Sequence, residues 1–199
     1  MDPSDALPSI LKLVRTGGDP ARSLGKLLDH FAEAKPSSAW TKMKDVDVGR
    51  DIAEARDWLE AQLARRASTT GVYLGLDTLN MDDGAGHNVE IGGSVKADPE
   101  SLDTEWAFEN SWTGEHHLIR GLFEMHRIYS TIEDLYSFAD YALFLGYSGI
   151  VLAAAVERLE RKLRSGGMGR LYIWGFHDGD LFPLCNSLGD RFQLRAGEG

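Results

Sequence analysis

Hydrophobic positions recur at helical spacing through the first third of the chain, and the pattern switches to alternation near residue 70. Leu7, Ile10, Leu11 and Val14 share one helical face, which predicts a helix over 5–15. Thr16-Gly17-Gly18-Asp19-Pro20 stops it and starts the next, with Asp19 as N-cap and Pro20 at the first helical position. Leu24, Leu27, Leu28 and Phe31 line a second helix over 21–34, which Lys35-Pro36-Ser37-Ser38 ends. A third helix over 50–66 turns Ile52, Ala55, Leu59 and Leu63 inward.

Beyond the linker Ala67-Ser68-Thr69-Thr70, residues 71–81 read as a strand. Residues 87–97 alternate, with Val89, Ile91 and Val95 on one side and Asn88, Glu90, Ser94 and Lys96 on the other. The turn residues between them make a hairpin. A polar loop over 98–114 carries Trp106, Phe108 and Trp112. Helical spacing returns over 115–129, with a strand through Leu118–Ile128 as the competing reading because Gly121 weakens a helix. Ser130-Thr131-Ile132-Glu133 has the form of a capping box, which predicts a helix to Leu145 with Gly146 as its C-cap. Ser148 then caps a further helix to Arg164. Residues 170–176 and 181–185 form a second hairpin across His177-Asp178-Gly179-Asp180, with Pro183 suggesting an edge position, and a short strand can follow at Phe192–Leu194.

The order helices, hairpin, helices, hairpin predicts an α+β fold. It has a helical N-terminal part over 1–66 and an α+β core over 67–199, read together as one compact domain. The core holds an antiparallel sheet built from two hairpins, with a helix group between them. The apolar run Tyr141–Val156, broken by Gly146, Ser148 and Gly149, reads as buried helices and not as a membrane span. The N-terminal residues have neither the basic nor the apolar region of a signal peptide. With a single cysteine, Cys185, no intrachain disulfide forms. These features together suit a cytoplasmic protein.

Charge changes the picture most. The net charge is −10, and it is concentrated in the middle of the chain. Residues 67–150 hold 3 basic and 14 acidic side chains, whereas 1–66 hold 11 of each. Such a block repels nucleic-acid phosphate and anionic membrane and attracts basic partners or cations.

No catalytic motif stands out. His177, Asp178 and Asp180 could ligate a divalent cation or do acid–base work, although Asp-Gly is also what a tight turn requires. Glu115, His116, His117, Glu124 and His126 lack the i, i+4 histidine pair of a helical metal site, though His117 and His126 could share a helix flank. Asp77, Asp82 and Asp83 do not fit a calcium loop, and neither Gly84-Ala85-Gly86 nor Gly92-Gly93 fits a phosphate loop. Cys185 sits in an apolar strand and reads as a buried thiol. No cofactor is implied.

The leading expectation is a non-enzymatic binding protein that docks a basic protein partner through Glu105, Trp106, Phe108, Glu109, Trp112 and Glu115. One version is an immunity-type protein that masks the cationic surface of a toxin. The rival is a metal-assisted hydrolase or small-molecule enzyme using His177, Asp178 and Asp180. A third reading is a homo-oligomer joined through the Gly149–Ala155 helix start or the Pro183 strand.

Overall fold

A computed structural model describes residues 3–81, 84–101, 103–132, 139–163, 169–176, 179–188 and 191–194. Four helices come first: α1 (Pro3–Thr16), α2 (Pro20–Ala34), α3 (Ser38–Met43) and α4 (Val48–Leu63). Gly17 and Gly18 make the α1–α2 turn in left-handed conformations, with φ of 67° and 105°. Asp19 then accepts from the backbone N–H groups of Ala21 and Arg22, as its N-cap position requires. The short α3 follows a Ser37 cap and buries Trp40, which stacks on Phe31 at 5.5 Å.

The strands β1 (Gly71–Met81) and β2 (Gly84–Ser94) pair along their full length as an antiparallel hairpin. The two-residue strands β3 (Trp112–Thr113) and β4 (His117–Leu118) both pair with the outer side of β2. After α5 (Arg120–Tyr129) and α6 (Ala139–Leu163), β5 (Arg170–Phe176), β6 (Leu181–Leu188) and β7 (Arg191–Leu194) form the second antiparallel group. The class is therefore α+β, with seven strands in one sheet ordered β3-β2-β1-β5-β6-β7. The hairpins join where β1 runs parallel to β5, the one parallel pair in the sheet.

Alternation along the central strands gives the sheet two distinct faces. Val72, Leu74 and Leu76 of β1 join Val89 and Ile91 of β2 and Tyr172, Trp174 and Phe176 of β5 beneath the helices. That core reaches from Ala6 in α1 to Cys185 in β6, so the N-terminal helices and the sheet share it. On the opposite face, Tyr73, Leu171 and Ile173 meet Ala97, Trp106 and Ala107 in a smaller cluster. Every residue of β5 is consequently buried.

Helix α6 corrects the expectation of two helices broken at Gly146. It runs unbroken for 25 residues. Gly146 and Gly149 are points of close approach: a methyl group would lie 2.9 Å from Leu27 at the first and 2.9 Å from Val14 at the second. The Ser148 hydroxyl donates to the Leu145 carbonyl at 2.9 Å instead of capping a new helix. Among the described residues α6 alone is long and apolar enough to cross a membrane, and 78% of its most apolar stretch is buried inside the protein. In that stretch Gly149, Val151, Leu152 and Ala155 are buried, while Ala154 is half-buried.

Three smaller departures have local causes. The second strand ends at Ser94, so Val95 is exposed instead of sharing a face with Ile91. His117 and Leu118 are drawn into extended pairing with β2, and α5 starts only at Arg120. Ser130 and Thr131 donate to the carbonyls of Arg127 and Ile128, closing α5, while Glu133 lies outside the described residues. Strand β6 has neighbours on both sides, but among the described residues β7 pairs only with Cys185–Leu188, and no described residue pairs with Pro183 on that side.

A buried carboxylate ties the helix layer together. Asp51 of α4 is fully buried and accepts from the Tyr147 hydroxyl of α6 at 2.7 Å and from the Gly121 N–H of α5 at 2.8 Å. Arg50 supplies the compensating charge and also reaches Glu124. Burial, followed by the adjacent Asp51 charge, pushes the Tyr147 phenol well above its ordinary value, so it stays a donor. Removing the carboxylate strands two buried donors. Asp51→Ala is expected to cost about 3 kcal/mol or more, against about 2 kcal/mol for Tyr147→Phe. Urea denaturation measures both, and a smaller loss for Asp51→Ala would contradict the assignment of Asp51 as the hub.

Candidate functional site

The outer face of the sheet is covered only by the segment that follows β2. Ala97 and Trp106 pack on it, and the Trp106 indole lies over Gly71, where a methyl group would come within 2.8 Å of the ring. The indole N–H donates to the Asp103 carbonyl at 2.9 Å. The Asn186 amide donates to the Pro99 carbonyl at 3.0 Å, pinning the segment to β6. Asp98 and Asp103 accept from the N–H groups of Glu100 and Glu105, so their carboxylates shape the turns.

Residues Glu105–Glu109 form one 3-10 turn, and its three-residue period decides what faces outward. Trp106 and Ala107 occupy the two inward sides. Glu105 and Phe108, three apart, share the remaining side, and Phe108 is 78% exposed. Glu109 is also exposed, with only Lys96 near it at 3.9 Å.

Residues 97–119 carry six acidic side chains and no lysine or arginine. All six, Asp98, Glu100, Asp103, Glu105, Glu109 and Glu115, are exposed. Among the described residues only Glu109 of the six has an ion-pair partner. Several acidic residues elsewhere are paired: Glu124 with Arg50, Glu54 with Arg120, and Glu60 with Lys162. Glu160 is buried between Arg170 and Tyr172.

Beside Phe108 the incomplete cover leaves a cavity of about 320 Å³. Its wall includes Tyr73, Glu90, Ala107, Phe108, Asn110 and Leu181. Gly92 has no side chain, and the Asn110 amide fills the space over it, where a methyl group would come within 2.6 Å. Asn110 Oδ1 is buried without a hydrogen-bond partner.

The expected docking residues are thus divided between two faces. Glu105, Phe108 and Glu109 lie on the outer cover, while Trp106 is spent on packing beneath it. Trp112 sits on the helix side of edge strand β3, where its indole donates to Thr69 at 3.0 Å and Arg66 lies 4.1 Å over the ring. Glu115 follows at the same edge, its backbone held by Trp58 and Gln62 of α4. Period-two alternation would have separated Trp112 from the outer face. The cavity and the roles of Tyr73, Glu90 and Asn110 leave no trace in local sequence, since they come from three separate segments.

The histidines do not converge. His116 is hydrogen-bonded to the Asn88 amide at 2.7 Å, and His117 stacks on Trp58 at 5.1 Å. His126 lies instead near His87, with ring centroids 6.4 Å apart, and both pack on Phe144. His117 and His126 therefore share no helix flank, because His117 belongs to a strand. Of the expected metal cluster, His177 and Asp178 lie outside the described residues, and Asp180 is exposed. Among the described residues no three His, Cys, Asp or Glu side chains gather as a metal site. Burial, followed by the Glu160 charge, raises the Cys185 thiol well above its ordinary value. The chain matches no family model, no curated protein and no solved structure.

The buried His87 imposes a pH dependence on stability. Burial, followed by the His126 charge, lowers it from 6.5 to about 4. The native state then takes up its proton later than the unfolded state, so stability is full above pH 6.5 and falls as pH drops toward 4. The loss reaches about 3 kcal/mol at one pKa unit per ~1.4 kcal/mol. Urea titrations across this range are expected to show it, and His87→Phe to flatten it; an equal slope in the variant would place the effect elsewhere.

Proposed function

We propose that this chain is a non-enzymatic binding protein whose acidic outer cover docks a basic protein partner. One observation carries the reading. Of six exposed carboxylates on 97–119, with Lys96 the sole cation pairing any of them among the described residues, Glu105 and Glu109 share the outer cover with Phe108, an aromatic side chain left in solvent at the wall of a cavity. An exposed anchor rimmed by one sign of charge has the composition of a recognition surface: the apolar group supplies affinity and the rim supplies steering. A narrower version is an immunity-type role, in which the carboxylates occupy the phosphate-binding surface of a cationic toxin. The same charge disfavours nucleic acid and anionic membrane as partners. A cytoplasmic setting suits the single buried thiol.

The test requires the partner, captured from the native host on immobilised full-length chain and released by salt. Replacing Glu105, Glu109 and Glu115 by Gln is expected to leave the melting temperature unchanged. It should slow association with that partner roughly tenfold at low ionic strength, with the difference shrinking as salt screens the rim. Equal association rates for the two proteins at low salt would overturn the docking surface. Stoichiometric zinc or manganese in purified protein, lost in His177→Ala, would favour the hydrolase reading instead.

A further inference from the structure

We infer that the outer-face cavity beside Phe108 takes the guanidinium group of an arginine side chain presented by the docked partner. The inference rests on the docking surface proposed above and assigns its specificity pocket. The cavity has the volume of small-ligand pockets, about 320 Å³. Among the described residues its wall carries one formal charge, the Glu90 carboxylate, and no basic group.

Glu90 and Gly92 lie on the same face of β2, two residues or about 7 Å apart. Over Gly92 sits the Asn110 amide, with its Oδ1 buried and unpartnered. That oxygen has no accessible surface, so the acceptor offered to an incoming cation is the Glu90 carboxylate. A carboxylate has about four acceptor positions, so Glu90 can accept from an incoming cation alongside contacts it already makes.

Arginine suits this wall better than lysine, because its planar guanidinium stacks on aromatic faces while its N–H groups reach a carboxylate, whereas an ammonium is a compact, strongly hydrated point charge. The remaining wall suits the rest of the side chain. Tyr73 and Phe108 offer aromatic rings to a cation, and Ala107 and Leu181 offer apolar surface to its methylenes. Glu105 and Glu109 flank Ala107 and Phe108 of the wall along the chain, so a basic surface steered by those carboxylates arrives beside the pocket.

Nα-acetyl-arginine amide serves as the probe, with its neutral isostere Nα-acetyl-citrulline amide as control. Both are titrated into the full chain while the amide signals of Gly92 and the Asn110 side chain are followed by NMR. The arginine probe is expected to give saturable shifts at both positions, and the citrulline probe to bind at least about tenfold more weakly. Glu90→Gln should abolish that preference. Should Glu90→Gln fail to fold, Phe108→Ala at an exposed position should still weaken the arginine probe several-fold.

A second titration uses nona-arginine with the wild type and with the Glu105/Glu109/Glu115→Gln variant. If nona-arginine binding depends on the rim carboxylates while neither small probe moves Gly92 or Asn110, the docking surface stands and the pocket assignment falls. Should the arginine probe bind as expected while the triple variant holds nona-arginine as tightly as wild type, the pocket stands and the docking surface falls. Equal shifts from arginine and citrulline probes would also overturn the assignment.

Discussion

A sheet has two faces, and in this protein the helices cover only one. β1 and β5 run through the centre, and both carry apolar residues on the side away from the helices: Tyr73, Leu171 and Ile173. Exposed, these would form a hydrophobic patch. The segment that covers them, 97–110, is polar and short of apolar residues, and it meets the need with Ala97, Trp106 and Ala107. Because Ala97, Trp106 and Ala107 face inward, the carboxylates between them face out, and because the inward side chains are few, the cover is incomplete. The acidic surface and the cavity are two consequences of one economy.

The helix side is closed by contrast, and its charges are used differently. Asp51 binds α4 to α5 and α6, and Glu160 holds Arg170 and Tyr172 within the core. These buried carboxylates are fully engaged by donors, the condition under which a buried charge is tolerated. Close approach at Gly146 and Gly149 lets α6 lie against α2 and α1 at once. In the outer cover, by contrast, Asp98 and Asp103 cap turns while Glu100 and Glu105 have no ion pair among the described residues.

The elements were legible where periodicity was strong. Asp19-Pro20 and the alternation of 71–94 placed α2 and the first hairpin, and Asp-Gly with the apolar run 170–176 placed the second. What failed was the meaning of small residues. Gly146, Ser148 and Gly149 have the composition of a helix break, but in a tightly packed layer the same residues allow contact, and only the partners Leu27 and Val14 tell the two apart. Ser37-Ser38 stopped one helix and also started α3. In the candidate site, the excess of carboxylates could be read from composition. Their separation from Trp112 and Glu115 could not, because it depends on which side of a two-residue strand each one falls.

The 3-10 turn at 105–109 links packing to recognition. With three residues per turn, burying Trp106 and Ala107 fixes Glu105 and Phe108 on the one side that remains. Trp106 is held over Gly71, and Phe108 on the remaining side is 78% exposed. An aromatic ring left in water loses hydrophobic stabilisation that an alanine would not forgo. On the docking reading proposed above, a contact made outside the chain would return that stabilisation, and the carboxylate held beside the ring on the same side would favour a cationic partner.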